Sequence, residues 1–153
     1  MSKKMYVILM CVILIAVVGG ILAIDMLHYN SSSDVIVVGS NKIAVPQGYE
    51  VEKVSDHGTV ISNNDTKMSV YYSDSPTNDG INDYVSKHKG DQVTNSTEHY
   101  SGVTVYKYIL LDNKTKEAKM THLFFDKNGS PYHFSIKGDY DKSAVEEIII
   151  ALT

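Results

Sequence analysis

The chain has no arginine and no tryptophan, and its single cysteine is Cys11. Without arginine it lacks the side chain best suited to bidentate capture of a carboxylate or phosphate. From His28 onward twelve lysines stand against seventeen acids. Nucleic acid asks for clustered positive charge, so no nucleic-acid partner is expected. Beyond Tyr29 there is no cysteine, which excludes an internal disulfide and thiol chemistry there and leaves packing to hold the fold. About 110 residues suffice for that, because a chain of this size buries well over half of its unfolded surface in one domain. Also missing are a Gly-x-Ser-x-Gly elbow, a phosphate loop, a dinucleotide fingerprint and a His-Glu-x-x-His helix. No catalytic residue, cofactor or metal ligand is assigned. Asp139 and Asp141 read as helix caps in a solvated loop rather than as an acid pair.

Charge is absent from residues 5–24 as well, a run flanked by Lys3 and Lys4 before it and Asp25 after it. At about 1.5 Å per residue a helix of that length reaches roughly 30 Å, the thickness of a bilayer's hydrocarbon core. Twelve of its twenty residues are Val, Ile or Leu, which alone favour insertion by about 4–7 kcal/mol. Two lysines and no acid in the tail predict a cytoplasmic N-terminus, with everything after the span outside. The chain then divides into a cytoplasmic tail (1–4), a transmembrane signal anchor (5–24), a stalk (25–40) and an exported domain (41–153) on the cell membrane. A cleavable signal peptide is the alternative, cut after Gly20 or Ala23. Neither site is a good small-x-small match, and the apolar run exceeds the usual length of such a core. Cys11 follows Val7-Ile8-Leu9-Met10, too bulky a setting for a lipid-attachment site.

Asn-x-Ser/Thr sequons begin at Asn30, Asn64, Asn95, Asn113 and Asn128. Composition alone accounts for roughly two, and the crowding of Asn, Ser, Thr and Asp into turns is the competing explanation of the excess. Where glycosylation machinery exists, Asn64, Asn95 and Asn113 are the expected acceptors. Asn128-Gly129, with Pro131 close behind, reads as a tight hairpin turn.

Strand-like segments cover 42–45, 50–54, 59–62 and 67–73, separated by Pro46-Gln47-Gly48, Asp56-His57-Gly58 and Asn63-Asn64-Asp65. Residues 35–38 are either a first strand or the end of the stalk. Ile81, Tyr84, Val85 and His88 then recur at i, i+3, i+4, i+7, the stripe of a short helix capped by Asp79 or Asn78 and closed by Gly90. Further strands are predicted at 92–100, 103–111, 117–126 and 130–137, with tight turns at Gly102 and Asn128-Gly129. A last helix over 142–152, capped by Asp139 or Asp141, buries Val145, Ile148, Ile149 and Leu152. Hairpin-joined strands and two amphipathic helices predict an α+β fold, a mostly antiparallel sheet with both helices packed on one face.

Ile43-Ala44-Val45-Pro46-Gln47-Gly48-Tyr49 resembles the apolar-x-Val-Pro-x-Gly-aromatic opening of PsbP-like domains. The strand end Phe124-Phe125-Asp126, the turn Lys127-Asn128-Gly129, the strand at 132–136 and the closing apolar helix at 145–152 resemble that family's end. The likeness therefore runs from Ile43 to Leu152, behind the N-terminal anchor. It implies a small α/β sandwich, often exported and membrane-attached, that acts mostly in binding or assembly rather than catalysis. No ligand residue carries over, because Pro46, Gly48 and Tyr49 are of the kind that set a turn and bury a ring. A photosystem role is not inferred.

His99, His122 and His133 fall on successive predicted strands. His133 alternates away from Tyr132 and Phe134, while His122 shares a face with Met120 and Phe124. That parity predicts scattered histidines, with His133 turned to solvent and no metal site. Tyr106 and Tyr108 share one strand face, and Tyr71 lies opposite Met68, Val70 and Tyr72. These three tyrosines are expected on an exposed sheet face, an amphipathic aromatic surface of the kind that proteins and sugars use. The ordinary alternative is that the helices cover that face. The expected function is non-catalytic binding or envelope assembly at the cell surface, with a protein or carbohydrate partner. The alternative is an exported hydrolase of unrecognised type, which needs three acids or histidines converging in a deep cleft.

Overall fold

Period-two alternation dominates residues 34–153, the part of the chain that the computed structural model describes. It yields strands β1 (Val35–Val38), β2 (Asn41–Ala44), β3 (Glu50–Ser55), β4 (Gly58–Ser62), β5 (Thr66–Tyr72), β6 (Val93–Tyr100), β7 (Val103–Leu111), β8 (Ala118–Lys127) and β9 (Ser130–Gly138). Helix α1 (Thr77–Lys87) follows β5 and helix α2 (Lys142–Ala151) follows β9. The expectations for the span at 5–24, for its cleavage, for Cys11 and for Asn30 lie outside the described residues. Among the described residues no helix is long and apolar enough to cross a membrane.

Strands β3 to β9 form one antiparallel sheet in the order β3-β4-β5-β9-β8-β7-β6, and β1 pairs only with β2. The mostly antiparallel α+β architecture is as expected. Residues 35–38 are the first strand and not stalk: Ile36 and Val38 are fully buried. The Thr59 hydroxyl fastens this strand, accepting from the Val37 amide at 2.9 Å and donating to the Val37 carbonyl at 2.7 Å. The compact unit thus begins at Asp34, ahead of the boundary at 41 that composition suggested.

One sheet face carries Ile61, Met68, Val70, Leu123, Phe125, Phe134 and Ile136. Helix α2 lays Ala144, Val145, Ile148 and Ile149 on it, and the β1–β2 hairpin adds Ile36, Val38 and Ile43. Helix α1 lies on the opposite face, where Tyr84 packs against Phe124 at 5.8 Å between ring centroids. Phe125 is the next residue in the strand and so points through the other side of the pleat, where it packs on Tyr132 and Phe134. The expectation that both helices share one face is corrected by this arrangement. The physical reason is visible in β8: Leu123, Phe124 and Phe125 are all buried, and a strand buries consecutive apolar residues only when both its faces are covered.

The helix starts differ in chemistry. Helix α1 begins at Thr77, behind Pro76 and without a side-chain cap, earlier than the expected Asn78 or Asp79. Proline is tolerated there because a first-turn amide would have no intrahelical partner. Thr77 instead donates its hydroxyl to Asp126 Oδ1 at 2.9 Å, docking the helix to β8. Of the predicted stripe Tyr84 is buried, whereas Val85 is 47% exposed. Helix α2 is capped by Asp141, which accepts from the Ala144 amide at 3.0 Å and, on its other oxygen, from the Tyr49 phenol at 3.0 Å. Asp141→Ala removes both bonds and should cost about 1–2 kcal/mol, read as a fall in melting temperature.

Candidate functional site

Strand register builds the face beneath α1. Tyr71 of β5 stands opposite His133 of β9, His133 opposite Phe124 of β8, and Phe124 opposite Tyr106 of β7. These rings form one row across the sheet. The adjoining row is Ser135, His122, Tyr108 and Asn95. Helix α1 sits on both rows through Tyr84, whose ring centroid lies 4.6 Å from that of His122, 5.7 Å from Tyr108 and 5.8 Å from Phe124. Tyr71, Tyr106 and Tyr108 therefore share a face but not an environment. Tyr108 is half-buried against Tyr84, Tyr71 is half-buried at one end of the row, and Tyr106 is 38% exposed at the other. Tyr106 borders an open cleft of about 460 Å³ with Ser101, Thr104, Asp126, Lys127 and Asn128. A cleft of about 360 Å³ runs along α1, between Asp79, Asp83, Tyr84 and Lys87 of the helix and Ser73, Phe124 and His133.

Two histidines meet in this face. His122 Nδ1 and His133 Nε2 are 2.9 Å apart, and His133 lies flat on Phe124 with centroids 4.4 Å apart. The expectation of separated histidines, with His133 in solvent, is corrected. Parity within each strand holds, but Phe124 pairs across to His133 rather than sharing a face with Phe134. Neutral imidazoles at this distance are joined by one N–H donated to the other ring's lone pair. Burial pushes His133 down to about 4, and burial together with the neighbouring His133 and His88 brings His122 to about 4 as well. Both are uncharged at neutral pH. His99 lies apart and exposed, with Nδ1 3.4 Å from the Thr104 hydroxyl. Among the described residues no group of three or more His, Cys, Asp or Glu is gathered as metal ligands would be.

The Tyr84 hydroxyl is buried without a hydrogen-bond partner among the described residues. Such an unmet group costs about 1–3 kcal/mol, so α1 is held by ring packing at the expense of a polar atom. Burial raises the Tyr84 phenol above its ordinary pKa, and Asp91 raises it further.

The opposite face holds a second polar cluster. Glu98 accepts from Lys107 Nζ at 2.8 Å and from the Tyr100 phenol, which also meets the Tyr140 hydroxyl at 2.8 Å. Burial works against the Glu98 carboxylate, but Lys107 and Tyr100 hold it below its ordinary pKa. These bonds close on one another, tying β6 and β7 to the approach of α2. The candidate acceptors Asn64, Asn95 and Asn113 are all exposed, in the β4–β5 turn, on β6 and in the β7–β8 turn.

No protein-family model matches this chain, and no curated protein matches it. Among solved structures it is similar to the solution structure of cyanobacterial PsbP (CyanoP) from Synechocystis sp. PCC 6803, at 14% sequence identity over 74% of this chain and 85% of that one, with a TM-score of 0.41. The likeness to a PsbP-like fold is weak.

Proposed function

We propose that this protein is a single-pass, membrane-anchored extracytoplasmic domain that works by binding rather than catalysis, engaging a protein or carbohydrate partner or assembling with other envelope components. The observation that carries this reading is the aromatic row that emerges from under α1 and ends in the open ring of Tyr106. Its neighbours Thr104, Asp126, Lys127 and Asn128 supply hydroxyl, carboxylate, ammonium and amide groups around an apolar ring. Aromatic area flanked by hydrogen-bonding groups is the chemistry with which surfaces take sugars and protein side chains. The charge-free run at 5–24 behind two lysines supports the anchor and the outward orientation.

The test is co-purification from detergent-solubilised membranes with the full-length chain as bait. Wild type should recover a partner that the double variant Tyr71→Ser, Tyr106→Ser loses at least tenfold while melting at nearly the same temperature. Equal recovery by both overturns the assignment of the face. Protease added to intact cells should degrade residues 34–153; protection of that portion would refute the orientation.

A further inference from the structure

We propose that the His122–His133 pair makes the seating of helix α1 acid-labile, so that protons taken up by the two rings lift the helix off the sheet and uncover the aromatic rows beneath it. The inference stands apart from any partner binding there.

The geometry limits how many protons the pair accepts. With Nδ1 of one ring and Nε2 of the other 2.9 Å apart, the neutral pair has one N–H between them and a singly charged pair still has one. A second proton places two N–H groups head to head, and that contact cannot persist. Even the first charge must be held between the sheet and a helix, away from most of its water.

Neighbouring groups do not relieve that charge. From α1, Asp79, Asp83 and Lys87 border the cleft that His133 opens into, and Asp83 is already paired with Lys87 at 2.7 Å. His88, at the end of α1, is paired with Asp91 at 2.6 Å and adds positive charge when protonated. From β8, Asp126 is engaged by the Thr77 hydroxyl. From β5 come the Tyr71 phenol and, further along the same face, Lys67, which is paired with Glu52; from β7 come the phenols of Tyr106 and Tyr108; and from β9, Lys137 stands exposed opposite Lys67. No carboxylate among the described residues is hydrogen-bonded to either ring of the pair.

The hinge of the device is the light attachment of α1. Its buried side chains are Thr77 and Tyr84, and the Tyr84 ring rests directly on His122. With α1 seated, burial holds each ring down to about 4 and their contact admits only one charge, whereas once solvated each takes up a proton near about 6.5. The unseated state therefore binds more protons, and seating, complete above that solvated value, is lost as pH falls from there toward 4. Uptake of two protons raises the unseated population by roughly two to three orders of magnitude between about pH 7 and pH 5.

Amide hydrogen exchange on the full-length protein in detergent, corrected for intrinsic rates, tests this with α2 as the internal reference. Protection of α1 should fall at least 100-fold relative to that of α2 between pH 7 and pH 5. A pH-independent ratio overturns the proposal. The double variant His122→Gln, His133→Gln should abolish the acid dependence, and its persistence there would overturn the assignment to this pair. Should the double variant fail to fold, His133→Gln alone is expected to cut the pH 7 to pH 5 effect to about 20-fold, the response of one remaining proton. An undiminished response in that variant refutes the pair's role equally.

Discussion

Gly138→Ala should be one of the most destabilising single substitutions in the domain. Gly138 ends β9 with φ +91, and a Cβ placed on it would stand 2.0 Å from the backbone carbonyl oxygen of Asp65. No rotamer change relieves a clash with backbone, so the β5–β9 end must open. Opening it breaks the bond from the Asp139 amide to the Asp65 carbonyl at 3.1 Å and that from the Thr66 hydroxyl to the Asp139 carbonyl at 2.7 Å. Backbone strain of about 1–3 kcal/mol and two lost bonds of about 1 kcal/mol each sum to roughly 3–5 kcal/mol. That is a large share of the roughly 5–15 kcal/mol that holds a domain together. Gly129→Ala is the control: its φ is +79, but nothing lies within 4 Å of the added Cβ, so about 1 kcal/mol is expected. Urea denaturation of the two variants measures the difference, and equal midpoints would refute the argument.

Phe125→Ala and Phe124→Ala, one residue apart, should fail in different ways. Phe125 is fully buried in the face covered by α2 and the β1–β2 hairpin, so its truncation should cost about 3–5 kcal/mol. Because that core joins most of the elements, the loss should appear in global unfolding and in the protection of every strand. Phe124 supports α1 through Tyr84 and stacks on His133. Its truncation should cost less globally, about 2–3 kcal/mol, and should loosen α1 first, a sub-global opening visible in exchange at Thr77–Lys87 while α2 stays protected. Identical exchange patterns in the two variants would contradict the two-faced arrangement.

Most elements were legible because their signals are local. Alternation in β5 and β9, the Asp141 cap and the turn at Asn128-Gly129 each depend on a few adjacent residues. What escaped was how strands match across the sheet. Asn128 and Gly129, with φ +53 and +79, form a two-residue turn that pairs Lys127 with Ser130. Counting back from that pair puts His133 opposite Phe124, and hence on the face of His122. That signal for the histidine pair was present in the sequence. The meeting of Tyr106 with Phe124 was less accessible, because the β7–β8 ladder shifts between Leu110 and Leu111 and no turn motif encodes that offset. The division of the helices between two faces was foreshadowed by Leu123-Phe124-Phe125, which two-sided burial explains and one-sided burial does not. The earlier start of α1 follows from Pro76, whose fixed φ suits a helix entry.

The two outermost strands have a consequence for how copies of this protein meet. Strand β3 bears exposed Glu52 and Lys53, and its ladder is interrupted between Val51 and Lys53. Strand β6 presents exposed Thr94, Asn95, Ser96 and Thr97. Charged, kinked or polar margins resist the addition of another strand. Copies that meet edge to edge are thereby kept from zipping sideways into fibrils, even though the sheet between those margins is open at both ends.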